Sequence, residues 1–270
     1  MLVVHGGGGG FDQAMDLAAP LVESGFRVIA PSRFGYLGTP LPPDASPAAQ
    51  ADAHVALLDA LGVPSAAVFG GSAGAPSAMQ FALRYPERTT ALILLVPAAY
   101  PMSQIEERAE GAMPTQASAA ATLLFDAALR SDLLFWIASR LAPQALVPTV
   151  LATPTADLER ASPEERARVA EVLAHLPPLS ARRLGLLNDA AITPHLPRYE
   201  LERISAPTLV LGVADCLFGT YDGARYSAEH IPNARLVSYP SGGHLWVGHH
   251  GEVLAAVVAF LRARDSSSTI

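Results

Sequence analysis

Short apolar runs alternate with longer stretches of helical periodicity over the first third of the chain. Leu2 to Val4, Arg27 to Ala30 and Ala66 to Phe69 are apolar runs bounded by glycine or proline, and Ala91 to Val96 is a fourth. Runs of this length and continuity predict strands buried on both faces of a parallel sheet. Between them, Phe11 to Ser24 carries apolar residues at helical spacing and stops before Gly25. Ser46-Pro47 supplies an N-cap and a first-turn proline for a helix reaching Leu61, before Gly62, and a third helix follows Ser72. Strand and helix in alternation from residue 1 to 96 predict an α/β fold, a mostly parallel sheet with helices on both faces and right-handed connections.

From Pro97 to Ile204 the alternation gives way to helical patterns rich in proline. Ser103-Gln-Ile-Glu106 and Ser162-Pro-Glu-Glu165 both read as capping boxes that start helices. Strands resume at Thr208 to Leu211 and Leu236 to Tyr239, with helices at Tyr221 to His230 and Glu252 to Arg264. The economical organisation is a core made of residues 1–96 and 205–264, a helical cap inserted at 97–204, and a serine-rich tail at 265–270 expected to fray.

Composition narrows the function classes. With half of its 270 residues apolar, the chain can bury one large core. Twenty-five acids oppose 18 bases, every one of them arginine, and no basic cluster interleaved with aromatics stands out, which disfavours nucleic acid as a partner. The single cysteine, Cys216, cannot form an internal disulfide, so the cytoplasm is the default expectation. The most apolar stretch, Ala117 to Val147, is interrupted by Asp126, Arg130, Asp132 and Arg140, so no membrane span is predicted there. The chain opens directly on Met1-Leu-Val-Val-His5, with no basic, apolar leader before it.

Gly70-Gly71-Ser72-Ala73-Gly74 follows one predicted strand and opens a helix, the context that gives a G-x-S-x-G match meaning. A serine on a sharp strand-to-helix turn sits in strained backbone, and only very small residues two positions to either side let the chains pass. The turn exposes the hydroxyl at the carboxyl end of the sheet and aims helix amides at a developing oxyanion. The plainer reading is a glycine-rich turn with an incidental serine. His5-Gly-Gly-Gly-Gly-Gly10 follows the first strand, where a second backbone donor for an oxyanion is needed. As a dinucleotide fingerprint it fails at Phe11, and the chain contains no Gly-Lys-Ser/Thr for a P-loop. His5 itself reads as a residue that pins the loop.

A serine hydroxyl is a poor nucleophile at neutral pH, so a histidine must take its proton and a carboxylate must hold that histidine in the useful tautomer. Among eight histidines, His244 in Gly242-Gly243-His244 lies on the loop after the last strand, at the same sheet edge as Ser72. His54 falls inside a helix, and His175 and His195 fall in the insertion. His249 and His250 could join His244 at a metal, but no carboxylate or cysteine at ligand spacing completes the set, so neither metal nor other cofactor is expected. The acid is assigned to Asp215, immediately past the strand Thr208 to Leu211, with Asp222 the runner-up.

The chain order Ser72, Asp215, His244 is that of the α/β-hydrolases. Together with His5 to Gln13, Pro31 to Pro40, Gly70 to Ala78, Pro207 to Asp215 and Gly242 to His244, it makes the chain resemble the α/β-hydrolase superfamily, in the branch with a helical cap. That resemblance implies an oxyanion hole from the backbone N–H groups of Gly7 and Ala73. It also implies two further strands ahead of the His-Gly strand, which the sequence lacks. Arg27 to Ala30 would then be an exposed sheet edge, and self-association through that edge or the cap is expected. A serine at position 72 argues against epoxide hydrolase and haloalkane dehalogenase activities, where that superfamily uses aspartate.

The reaction expected is hydrolysis of an ester or related carbonyl bond of a small to medium hydrophobic substrate, through an acyl-enzyme on Ser72. Lactones, thioesters, amides and carbon–carbon bonds beside a ketone fit the same triad. Apolar cap residues Leu123, Leu124, Phe125, Leu133, Phe135 and Trp136 are candidates for the pocket, although most such residues pack helices together. The rival of a different class is a ligand-binding or signalling protein on this fold, or an inactive truncated member.

Overall fold

The computed structural model describes residues 1–100, 130–141 and 143–265. Five parallel strands form one sheet whose spatial order follows the chain: β1 (Leu2–Val4), β2 (Ala66–Gly71), β3 (Thr89–Leu95), β4 (Thr208–Val213) and β5 (Ala234–Tyr239). In register, Val3 faces Phe69, Phe69 faces Ile93, and Ile93 faces Leu209. Because side chains alternate across a pleat, these residues point to one face. There they pack with α1 (Phe11–Glu23) and α10 (His250–Asp265). Val4, Val68, Leu92, Leu94 and Val210 point to the other face, against α2 (Pro47–Ala60), α3 (Ala75–Arg84) and α9 (Thr220–His230). Both sheet faces are therefore covered, as continuous apolar strands require.

Two helix starts follow the sequence closely. Ser46 caps α2 by accepting the Ala49 N–H at 3.2 Å, with Pro47 in the first turn. Ser162 caps α7 (Pro163–Ala174) by accepting the Glu165 N–H at 3.2 Å. The returning half of that capping box is not built. The Glu165 carboxylate instead pairs with Arg168 and accepts the N–H of Gly248. The Ser103–Glu106 box and residues 266–270 lie outside the described residues.

The expected strand at Arg27 to Ala30 is reduced to a single bridge. Ile29 pairs with Leu2, its N–H donating to Met1 O at 2.9 Å and its carbonyl accepting the Val3 N–H at 2.8 Å. Past Pro31 the chain turns away through Arg33 to Tyr36, so pairing stops there.

Between β3 and β4 the described chain is helical: α4 (Asp132–Leu141), α5 (Pro143–Val150), α6 (Thr155–Arg160), α7 and α8 (Arg183–Ile192). Val147, Leu151, Val169, Leu173 and Leu176 gather into a separate apolar cluster that also takes in Leu245 and Val247, from the loop after β5. The inserted helices thus rest on the same sheet edge that carries Ser72 and His244. Among the described residues no helix is long and apolar enough to cross a membrane.

Candidate active site

Ser72 stands where β2 gives way, through one tight turn, to α3. Its φ of 48° lies in the left-handed region, a costly conformation for a residue with a side chain. The neighbouring glycines make the turn sterically feasible. A Cβ on Gly70 would meet Ala78 Cβ at 2.6 Å, and one on Gly74 would meet His5 O at 2.5 Å. Either methyl group would push the turn off the strands beneath it. His244, 9% exposed, sits in the turn after β5 with Nε2 2.9 Å from Ser72 Oγ. Residues 172 apart in sequence are thus brought into hydrogen-bond contact because both follow parallel strands that end at one edge.

Asp215 follows β4 at the same edge, but its contacts are to backbone. Oδ1 accepts the Gly243 N–H at 2.8 Å and Oδ2 the Gly242 N–H at 3.3 Å. Asp157, from α6, reaches the same place and accepts the Gly242 N–H at 3.1 Å. Burial raises the Asp215 pKa above the ordinary carboxylate value, the Gly243 amide lowers it, and the Asp157 carboxyl beside it raises it further. The ring nitrogen Nδ1 of His244 faces Cys216, whose Sγ lies 3.2 Å away. Asp222, the runner-up acid, falls inside α9.

The histidine loop is also tied to the cap. Ala152 O accepts the N–H of His244 at 3.2 Å and that of Leu217 at 3.1 Å, and Thr153 Oγ1 accepts the Leu245 N–H at 3.2 Å.

The glycine loop on the opposite side of Ser72 is held differently. His5 is buried: its Nε2 accepts the Arg33 N–H at 2.9 Å and its Nδ1 lies 2.8 Å from Gly6 O. Burial and the nearby Arg33 charge hold its pKa well below the usual histidine value, so it stays neutral and pins the loop. Arg33 grips Asp189 of α8 in a bidentate pair, 2.8 and 2.5 Å, and also donates to Gly6 O at 3.2 Å. The Tyr36 hydroxyl donates to the same carboxylate at 2.5 Å. Burial and the Asp189 charge together push the Tyr36 pKa up. Arg182, fully buried, donates to Gly9 O at 2.6 Å and to Asp12 Oδ2 at 2.7 Å. A Cβ on Gly7 would lie 3.9 Å from Ala73 Cβ, so the two backbones run side by side next to Ser72.

A small cavity of about 20 Å³ opens beside Ala73, lined by Arg33, Phe34, Gln50, Asn188, Asp189 and Ile192 among others. Of the apolar cap residues singled out in the sequence, the described ones, Leu133, Phe135 and Trp136, do not line it. Leu133 and Trp136 are 64% and 50% exposed, Phe135 packs into the cap cluster, and Leu123, Leu124 and Phe125 lie outside the described residues. A larger cleft of about 590 Å³ lies at the far end of α3, lined by Gln80, Arg84, Tyr85 and Tyr199, and includes neither Ser72 nor His244. His54 is buried inside α2, His175 contacts Asp16, and His249 and His250 contact Glu252 and Trp246.

Sequence reasoning missed Cys216 and Asp157. Cys216 adjoins Asp215, and that adjacency was its one available signal. Asp157 lies in the insertion, 85 residues from Gly242, with nothing in the local pattern to mark it.

Comparison with known proteins bears on the fold. The family model described as alpha/beta hydrolase fold matches residues 1–247. An uncharacterized hydrolase, YcgS, of Bacillus subtilis (strain 168) is 28% identical over 97% of this chain and 91% of its own. A 2-hydroxy-6-oxo-6-phenylhexa-2,4-dienoate hydrolase of Burkholderia cepacia is 35% identical, but over only 36% of either chain. Among solved structures, an alpha/beta hydrolase fold protein from Nakamurella multipartita is 29% identical with a TM-score of 0.72, covering 97% of this chain and 91% of that one. The chain belongs to the α/β-hydrolase fold family.

Proposed function

We propose that the protein is a serine hydrolase that cleaves an ester or related carbonyl bond of a small substrate through an acyl-enzyme on Ser72. The observation that carries this reading is the 2.9 Å approach of Ser72 Oγ to His244 Nε2 at the edge of the sheet. Ser72 Oγ attacks the carbonyl carbon while its proton passes to Nε2, and the carbonyl oxygen becomes an oxyanion. The backbone N–H groups of Gly7 and Ala73 receive that charge, a role supported by their side-by-side placement. The tetrahedral intermediate collapses, and the leaving group departs with the proton that His244 returns. Water then repeats the sequence on the acyl-enzyme, giving up a proton to His244 and freeing Ser72. Asp215 serves as the orienting acid through the amides of Gly242 and Gly243, which set where the histidine stands.

A second reading has a specific support. The Burkholderia cepacia relative and one from Comamonas testosteroni bear names of 2-hydroxy-6-oxo dienoate-type hydrolases, so a carbon–carbon bond beside a ketone is the alternative scissile bond.

The test is labelling with a fluorophosphonate read by intact mass. One adduct on the wild-type chain and none on Ser72→Ala is the expected result. An unlabelled wild type, or equal labelling of the variant, overturns the assignment of Ser72. A panel of acyl esters against vinylogous diketones then separates the two bond types.

A further inference from the structure

The sulfur of Cys216 occupies a position that the proposed chemistry leaves without an owner. It is buried at 6% exposure, 3.2 Å from His244 Nδ1, while both oxygens of Asp215 are engaged by backbone amides. Two further donors converge on it: the Thr220 hydroxyl at 3.2 Å and the backbone N–H of Phe218. A thiolate can accept from the Thr220 hydroxyl, the Phe218 N–H and a protonated Nδ1 at once, whereas a thiol accepts weakly and must place its own proton. The Phe218 ring meets the imidazole edge-on, with centroids 4.9 Å apart, and closes the other side of the histidine.

We propose that Cys216 is the positioning residue for the base of this hydrolase: its thiolate accepts the Nδ1–H of His244 and so leaves Nε2 unprotonated to take the Ser72 proton. This rests on the serine hydrolase reading given above. The chemistry decides between the two protonation arrangements. A thiol would donate S–H to Nδ1, which puts the imidazole proton on Nε2 and removes the base. A thiolate can only accept, which fixes the productive tautomer, as a carboxylate does in other triads.

The electrostatics agree with the geometry. Burial pushes the thiol pKa up, but the charge and hydrogen bond of His244, with Thr220 and Phe218, outweigh it and bring the pKa down to about 7. The titratable groups facing this sulfur are His244 from the loop after β5 and, beside it, Asp215, with Asp157 reaching Asp215 from α6.

Two measurements test the proposal, and only one depends on turnover. Cys216 is the sole cysteine, so ultraviolet thiolate absorbance reports it alone. The wild type and Ser72→Ala should both show a midpoint of about 7, and His244→Ala should move it upward. An ordinary thiol midpoint in the wild type, or an unchanged one in His244→Ala, overturns the pairing whether or not the chain hydrolyses anything. In kinetics, Cys216→Ala should lower kcat by on the order of 10² to 10⁴-fold with KM little changed. Cys216→Asp should recover most of that loss and move the acid limb that the thiolate contributes to the kcat–pH profile toward lower pH, since a carboxyl ionises below the thiol's value of about 7. Wild-type kcat and pH profile in Cys216→Ala, with loss of turnover in Asp215→Asn, would assign the orienting role to the carboxylate alone. Failure of fluorophosphonate to label Ser72 would overturn the hydrolase reading and leave the thiolate titration to stand or fall separately.

Discussion

The two sides of Ser72 are tethered to the inserted helices by different physics. On the glycine-loop side the tethers are ion pairs with buried guanidinium groups: Arg33 with Asp189, and Arg182 with Asp12. On the histidine side they are backbone hydrogen bonds and two neighbouring carboxyls, through Ala152, Thr153, Asp157 and Asp215. A buried guanidinium that loses its partner keeps its charge and has nowhere to place it. A carboxyl pair can take up a proton and remain bonded. The first arrangement gives rigidity that fails abruptly, and the second gives a tether that responds to pH.

The largest effect that would expose this contrast is predicted for Asp12→Ala, which removes the carboxylate paired with the fully buried Arg182 and leaves it the carbonyls of Gly9, His175 and Leu176. Because Asp12 is itself 37% exposed, the loss should sit at the low end of the buried-pair range, about 3 kcal/mol in denaturant titrations. A loss of under about 1 kcal/mol, the value of an exposed pair, would show that the glycine-loop side is no more charge-dependent than the surface. Next comes Asp189→Asn, which keeps the shape but removes the carboxylate charge facing Arg33 and sets an amide NH2 against one of the groups that now donate to it. About 2–3 kcal/mol should be lost. Ester turnover should fall about 10- to 100-fold as the loop carrying Gly7 shifts. Equal turnover in the variant would detach the cap contact from the oxyanion site.

The third prediction sets the two sides against each other as pH falls. Burial alone would raise the Asp12 pKa, but the hydrogen bond and charge of Arg182 outweigh it, and the folded-state value is lowered. Its contribution is present above the ordinary carboxylate pKa and is lost as pH falls through the folded value. For Asp215 the folded value is raised, so the sign reverses: folding gains as pH falls from the raised value toward the ordinary one. Stability measured against pH should therefore lose part of its acid limb in Asp12→Asn. Asp157→Asn should lose the opposing gain and give a steeper acid decline. Parallel curves for both variants would erase the distinction. The smallest effect is expected for Ser162→Ala, which removes the cap of α7 and should cost about 1 kcal/mol, with turnover unchanged.

What the sequence made legible follows from how local each signal is. Ser72 and His244 stand on short strand-to-helix connections whose glycines announce the geometry, and β1, β2 and β4 begin at the residues their apolar runs predict. Arg27 to Ala30 has the composition of a strand, yet pairing depends on what lies beside it, and there Ile29 alone forms a bridge, while the Arg27 carbonyl accepts the Met1 amino group. Arg33, Asp189, Arg182 and Asp157 were invisible for a related reason. The contacts that join Arg33 to Asp189, Arg182 to Gly9 and Asp157 to Gly242 span 156, 173 and 85 residues, and a polar side chain bears no local mark of whether it faces water or another layer. Cys216 is the intermediate case: its position next to Asp215 was readable, but which of the two side chains turns to the imidazole is decided by the turn that follows β4.

The carbonyl of Ala152 binds the backbone of the histidine and of Leu217 at once, so one atom of the inserted segment helps complete the core machinery. For a lineage diversifying its substrates this divides the insertion into two parts with different freedoms. Helices that fasten neither the histidine loop nor the glycine loop can drift, lengthen or be exchanged as cassettes, while residues 151–157, like Arg182 and Asp189, must travel with the loops they fasten. A chimera that grafts a foreign cap onto this core should therefore keep residues 151–157 of the host, because a junction drawn outside them would inherit a new specificity together with a misplaced base.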